Sequence, residues 1–278
     1  MQPAVIGQAL LRPLIGAVAL VASAGLALSS PAVAHADDTP VTPSDIADRT
    51  IVAIGDSYLA GVGAGDYRTI DGCRRSVNSP AAKLAERTSA ALVDLTCPGN
   101  TIPQALRTSS RIPATADLTL IQAGGNDIGF AVLAGACLLA GASTCQSAVD
   151  AAHRELPQVR RGTIDLVRQA RLKAPASQVI VLGYPRLLAK PATCSALLDR
   201  TRVRDINRLQ RTLDRVIKSA TRTAGATFVD WPRSVDRASL CSSDPWYALP
   251  GDRIDDLLHP DSRATTALSR SLAKEWRR

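Results

Sequence analysis

The sequence predicts an α/β fold, a three-layer α/β/α sandwich around a flavodoxin-like five-stranded parallel sheet of strand order 2-1-3-4-5. Three observations predict it. Short apolar, β-branched runs at residues 51–55, 91–96, 118–124, 179–183 and 227–231 have the length and character of strands. Stretches of helical periodicity separate them, so consecutive strands are joined by helices and run parallel. Right-handed crossovers then put helices on both faces of the sheet.

Residues 1–36 read as a secretory signal. Arg12 is their only charge, residues 14–28 are continuously apolar or small, and Ala34-His35-Ala36 fits a small-x-small cleavage site, so the mature chain begins near Asp37. The competing reading is an uncleaved anchor, but the apolar core is shorter than the roughly 20 residues a spanning helix needs. With no cysteine before Cys73, a lipid-modified N-terminus is not expected. Residues 37–48 form a polar, proline-containing lead-in. Residues 49–278 are enough for one well-buried domain.

The elements follow in order. The strand at 51–55 ends in Gly55-Asp56-Ser57, and a helix spans 80–88. The strand at 91–96 runs into Cys97-Pro98-Gly99-Asn100, and the strand at 118–124 into Gly124-Gly125-Asn126-Asp127. The apolar stretch 131–142 either lines an acyl groove or packs on the sheet. A helix at 148–173 carries an expected interruption at Pro157. The strand at 179–183 leads to Tyr184-Pro185-Arg186. In the helix at 202–224, Val203, Ile206, Leu209, Leu213, Val216, Ile217 and Ala220 recur on one face, and Gly225 stops it. Beyond the strand at 227–231 comes an irregular segment holding Asp256 and His259.

Ligands of an open parallel sheet bind beyond the carboxyl ends of its strands, and each of these turns falls there. Ser57 alone could be a helix cap, since Gly-Asp-Ser also suits a turn. A serine hydroxyl needs a base to become a nucleophile, and histidine is the usual one. The mature chain has two histidines. His153 lies in a helical, charged stretch and reads as surface, whereas His259 lies in a proline-containing turn and is the better base. Asp256, three positions upstream, can accept the imidazole N–H, with Asp255 and Asp252 as alternatives. The backbone of Ser57, Gly99 and the Asn126 amide can donate to the oxyanion of a tetrahedral intermediate.

Six cysteines, Cys73, Cys97, Cys137, Cys145, Cys194 and Cys241, suit an oxidising compartment. They allow 15 pairings, of which the sequential one is simplest. Zinc is disfavoured, because no Cys-x-x-Cys occurs and only two histidines remain after cleavage. No metal or other cofactor is called for. The net charge of +8 becomes +7 without Arg12. Its dispersion suggests a solvated basic surface, with weak attraction to anionic lipid or cell-wall polymer as the alternative. Nucleic acid is excluded as a partner by export, and a monomer is expected.

Gly55-Asp56-Ser57-Tyr58, Gly99, Gly124-Gly125-Asn126-Asp127 and Asp256-x-x-His259-Pro260 resemble, in order, the four blocks of the SGNH, or GDSL-type, hydrolases. The likeness extends to secreted actinobacterial esterases and lipases of that superfamily through Cys73-Arg74-Arg75-Ser76, Val181-Leu182-Gly183-Tyr184-Pro185-Arg186 and Asp244-Pro245-Trp246, and covers nearly the whole mature chain. The resemblance implies an SGNH hydrolase domain over 49–278. It implies Ser57 as nucleophile and first oxyanion donor, Gly99 and Asn126 as further donors, and His259 as base. It also implies disulfides Cys73–Cys97, Cys137–Cys145 and Cys194–Cys241. Some such relatives orient the histidine with a backbone carbonyl and others with an aspartate; Asp256 suggests a full triad here. The expected activity is a secreted, metal-independent hydrolysis of carboxylic acyl esters through an acyl-enzyme. Low aromatic content, 3%, offers few sugar-stacking platforms and tilts the substrate toward lipids or simple esters over acetylated polysaccharide. An acyltransferase and a non-catalytic cell-envelope binding module are the other readings. The chain lacks the Gly-x-Ser-x-Gly elbow of α/β-hydrolases.

Overall fold

The computed structural model describes residues 49–190, 192–194, 198–249 and 253–276. The expected signal and lead-in, and Asp252, lie outside the described residues. Strands β1 (Thr50–Gly55), β4 (Ala91–Asp94), β5 (Leu118–Gln122), β6 (Gln178–Leu182) and β7 (Thr227–Val229) form one parallel sheet of order β4-β1-β5-β6-β7. Counting only these five in chain order, that is the expected 2-1-3-4-5. Ile51, Val52, Ala53 and Ile54 are at most 1% exposed, which is why β1 reads as an unbroken apolar run instead of alternating.

Helices cover both faces. Helix α1 (Pro80–Thr88) is capped by Ser79, whose Oγ accepts the Ala82 N–H at 3.1 Å, and it packs against α7 (Ser262–Glu275). The short α2 (Ile102–Thr108) and the longer α4 (Ala142–Lys173) and α5 (Arg200–Thr223) pack together, with α3 (Phe130–Leu139) against α4. Of the periodic residues on α5, Val203, Ile206, Leu209, Leu213, Ile217 and Ala220 are buried and Val216 is half-buried, with Asn207 and Thr221 buried beside them. Helix α6 (Arg233–Arg237) follows β7.

Two expectations are corrected. Pro157 does not interrupt its helix, which starts at Ala142 and runs through to Lys173. An interior proline costs about 3 kcal/mol, but Val149, Leu156, Val159, Leu166 and Val167 are buried along the same helix at about 1.5–3 kcal/mol each, so tertiary packing outweighs the lost hydrogen bond. The second is an unanticipated antiparallel hairpin of β2 (Tyr67–Ile70) and β3 (Cys73–Ser76). Its turn, Asp71-Gly72, has positive φ at both residues, 54° and 73°. Asp-Gly between two short strands is the signal that would have found it. The three disulfides join Cys73 to Cys97, Cys137 to Cys145 and Cys194 to Cys241.

Candidate active site

The turn after β1 is built by close approach. Gly55 has φ +158°, and a Cβ there would lie 2.1 Å from the Gln122 carbonyl oxygen of β5, so only glycine lets β1 end against its neighbour. The Asp56 N–H then donates to Gln122 O at 3.0 Å, and Ser57 follows at the mouth of a groove of about 1260 Å³. Across the groove, Leu258 has φ +68°, an uncommon conformation for a non-glycine residue, and this kink brings His259 over Ser57. The His259 Nε2 and Ser57 Oγ are 2.8 Å apart. A Cβ on Gly63 would meet the His259 and Pro260 carbonyl oxygens at 2.8 Å, so a glycine here lets the histidine loop seat directly on the serine loop.

The histidine's other nitrogen, Nδ1, lies 3.0 Å from the Leu257 carbonyl oxygen. This corrects the expectation for Asp256, whose carboxylate faces elsewhere. Asp256 is buried, its Oδ1 lies 2.7 Å from an Arg74 guanidinium nitrogen, and its Oδ2 accepts the Tyr67 hydroxyl at 2.7 Å. Tyr67 Oη in turn accepts the Gly63 N–H at 2.9 Å. A short polar chain thus staples the base loop to the β2–β3 hairpin. The physical reason is competition: a buried carboxylate is better compensated by a guanidinium and a phenol than by a neutral imidazole N–H, and the hairpin brings both within reach. Asp255 is exposed and pairs with Arg253 at 3.6 Å. His153 sits on α4 and does not line the groove. Burial holds the His259 imidazole below its usual range, only partly offset by its Leu257 contact and the Asp256 charge.

Gly99 and Asn126 line the same groove. The Asn126 amide donates to Asn100 O at 2.9 Å, and the Asp127 carboxylate accepts the Ile102 N–H at 3.0 Å, so the turn after β5 is tied to the turn after β4 at two adjacent residues. Among the described residues no acceptor takes the Ser57 or Gly99 N–H, and both residues line the groove. The structure therefore brings Ser57, Gly99, Asn126 and His259 around one space.

A link not anticipated from sequence joins the serine turn to the asparagine turn. The Tyr184 hydroxyl, in the turn after β6, donates to Asp56 Oδ2 at 2.5 Å and accepts the Gly125 N–H at 2.9 Å. Asp56 Oδ1 accepts the Tyr58 N–H at 3.0 Å. Burial, offset by these bonds, pushes the Asp56 carboxyl up to about 7. Tyr184-Pro185-Arg186 stood out only as a segment at the right sheet edge, because nothing local says that a phenol will reach residues more than fifty positions away.

The GDSL-like Lipase/Acylhydrolase family model matches residues 53–265. A lipase of Streptomyces rimosus is 32% identical over 244 residues, covering 86% of this chain and 91% of the relative. Among solved structures, phospholipase A1 from Streptomyces albidoflavus NA297 superposes with a TM-score of 0.75 at 29% identity, covering 81% of this chain and 99% of that one. An extracellular lipase from Streptomyces rimosus gives a TM-score of 0.75 at 28% identity, covering 80% and 99%. Such a match runs through every strand end that carries a groove residue, and the chain belongs to the GDSL-like lipase/acylhydrolase family, as a carboxylic ester hydrolase.

Proposed function

We propose that the mature chain, a single hydrolase domain over residues 49–278, is exported and cleaves acyl esters of lipid type through an acyl-enzyme on Ser57. The observation that carries this reading is the 2.8 Å contact between Ser57 Oγ and His259 Nε2 at the mouth of an apolar groove. As Ser57 Oγ adds to the ester carbonyl carbon, His259 Nε2 takes its proton. The carbonyl oxygen becomes an oxyanion facing the Ser57 and Gly99 N–H groups and the Asn126 amide. The tetrahedral intermediate collapses, the alcohol departs with the proton from His259, and the acyl group stays on Ser57. Water then adds, giving its proton to His259, and the acid leaves as that proton returns to Ser57.

Leu257 O serves as the orienting group, accepting Nδ1–H so that Nε2 carries the lone pair toward Ser57. Phe130, Leu133, Leu138, Leu187, Leu209 and Leu213 line the groove and would bury an acyl chain. The names of the similar proteins, lipase and phospholipase A1, support the lipid class, and the description of one as extracellular supports export together with the signal-like residues 1–36. The dispersed positive charge gives weak attraction to anionic lipid or cell-wall polymer.

Ser57→Ala should fold and release no alcohol from a chromogenic hexanoyl ester, and a fluorophosphonate should label the wild type at Ser57 and leave the variant unlabelled. Turnover retained in Ser57→Ala overturns the reading. In an ester series from acetyl upward, each methylene that enters the groove should raise kcat/KM by up to about fourfold, the worth of about 0.8 kcal/mol of apolar burial. A flat or falling series would point to small acyl groups such as acetylated sugars.

A further inference from the structure

We infer that a second cavity beside the acyl groove is an anion site that takes the phosphate of a glycerophospholipid headgroup. This rests on the ester-hydrolase reading of the groove and names its substrate class.

The cavity measures about 520 Å³ and is lined by Arg186, Lys190, Arg233 and Arg237, with Asp236 its one carboxylate. Arg186 belongs to the turn after β6, Lys190 to the loop that follows, and Arg233 and Arg237 to α6, so three segments converge four cations on one concavity. None of the four has an ion-pair partner within 4.0 Å among the described residues, so all four charges remain available to a ligand. Asp236, whose Oδ1 accepts the Arg186 backbone N–H at 3.2 Å, offsets one of the four charges and leaves a net excess of three. Like charges repel, and an anion that joins this cationic excess is stabilised by it.

The cavity also adjoins the groove. Ser242 lines the cavity beside the four cations. Thr193 lines both this cavity and the groove that holds Ser57 and His259, and the Cys194–Cys241 bond crosses the same region, with Cys194 on the groove and Ser242 next in chain to Cys241. The cavity and the groove therefore share a wall at Thr193, so one molecule with an anionic end and an acyl end is the ligand we propose for the pair. A glycerophospholipid has this form, two ester-linked chains and one anionic phosphodiester on the same small backbone. Guanidinium forks suit phosphate oxygens, and at about 30 Å³ per water in the liquid the volume also admits the polar alcohol of the headgroup.

The test uses monomeric short-chain lipids, which removes general attraction of a basic protein to a charged surface. On dihexanoylphosphatidylglycerol, the double variant Arg233→Gln/Arg237→Gln should show a KM raised about tenfold with kcat little changed, because two exposed charge contacts of about 0.5–1 kcal/mol each are lost. On uncharged nitrophenyl hexanoate its kinetics should match the wild type. Inorganic phosphate should compete with the phospholipid and not with the nitrophenyl ester. An unchanged phospholipid KM overturns the proposal; if calorimetry still shows inorganic phosphate binding that the double variant loses, the cavity serves a free anion instead. Should the double variant fold poorly, Lys190→Gln in the exposed loop repeats the measurement, with about a threefold rise in phospholipid KM expected and no rise overturning the proposal. Product formed by Ser57→Ala would indict the acyl-enzyme reading and leave the phosphate calorimetry to judge the cavity by itself.

Discussion

Two carboxylates lie beside Ser57 and His259 in the chain, Asp56 directly before Ser57 and Asp256 three positions before His259, and the fold uses them in opposite ways. Asp56 is 1% exposed and meets only neutral donors, the Tyr184 hydroxyl and the Tyr58 N–H, so burial raises its carboxyl to about 7. Asp256 meets the Arg74 guanidinium and the Tyr67 hydroxyl and anchors the base loop to the hairpin. Neither touches the imidazole. The contrast teaches that closeness to a reacting residue in sequence does not assign a carboxylate its task. Its partners decide, and those partners come from β6 in one case and from β2 and β3 in the other.

The largest expected effect tests the donor side of the space that these two loops frame. Asn126→Ala should lower kcat by about 10² to 10³ with KM little changed if its amide faces the developing oxyanion. A loss confined to KM would make Asn126 a substrate contact instead.

Next comes the direct contrast between the two carboxylates. In Asp56→Asn the amide nitrogen must face either the Tyr58 N–H or the Tyr184 hydroxyl, which itself holds Gly125. One buried donor goes unmet, at about 1–3 kcal/mol of stability. Denaturant unfolding should show that loss, and kcat should fall by about ten- to a hundredfold as the serine and asparagine turns lose their common tie. Asp256→Asn should keep kcat within about tenfold. Were Asp256 the group that orients His259, the same change would cost about 10⁴, so a loss of that size restores the triad and breaks the comparison.

The pH profile sharpens it further. Catalysis needs a neutral imidazole, and burial lowers the His259 pKa, so the acid limb of kcat/KM should lie below the ordinary histidine value of 6.5. The charge of Asp256 raises this pKa and that of Arg74 lowers it. Asp256→Asn should therefore move the acid limb to lower pH, and Arg74→Gln to higher pH. Equal limbs in both variants would show that neither charge reaches the imidazole.

The smallest effect concerns stability. Burial raises the carboxyl of Asp214, which accepts the Tyr184 N–H at 2.8 Å, to about 8. A carboxyl whose folded pKa lies above its unfolded one holds protons more tightly in the folded state. Its contribution is complete below the unfolded pKa of about 3.9 and is lost as pH rises through the folded value. Melting followed by circular dichroism should therefore show Tm falling by a few degrees, roughly, between pH 5 and pH 9, and Asp214→Asn should flatten that fall.

What the sequence revealed and what it hid divide by range. The five strands, their order and the residues after each strand end were legible, because an apolar run closed by small residues is a local signal. The meeting of Ser57 and His259 was legible for a second reason: few residue types suit an activated hydroxyl and its base, and residues 37–278 hold only two histidines. The partner of Asp256 was hidden because Arg74 lies some 180 residues upstream on a hairpin that only Asp71-Gly72 announces. Leu257 left no trace either, since any residue supplies a carbonyl and only the kink at Leu258 aims this one. The uninterrupted helix through Pro157 was misread because local chemistry gives the cost of a proline and is silent about the packing that offsets it.

The Cys73–Cys97 bond joins the first residue of β3, next to Arg74, to the turn that carries Gly99. Thiol oxidation is thus wired to two pieces at the rim of the groove, the strut under the His259 loop and the turn of Gly99, and not to the sheet. Reducing this bond should leave the core assembled and free the strut and the Gly99 turn, so a reductant should abolish ester cleavage before it unfolds the sheet.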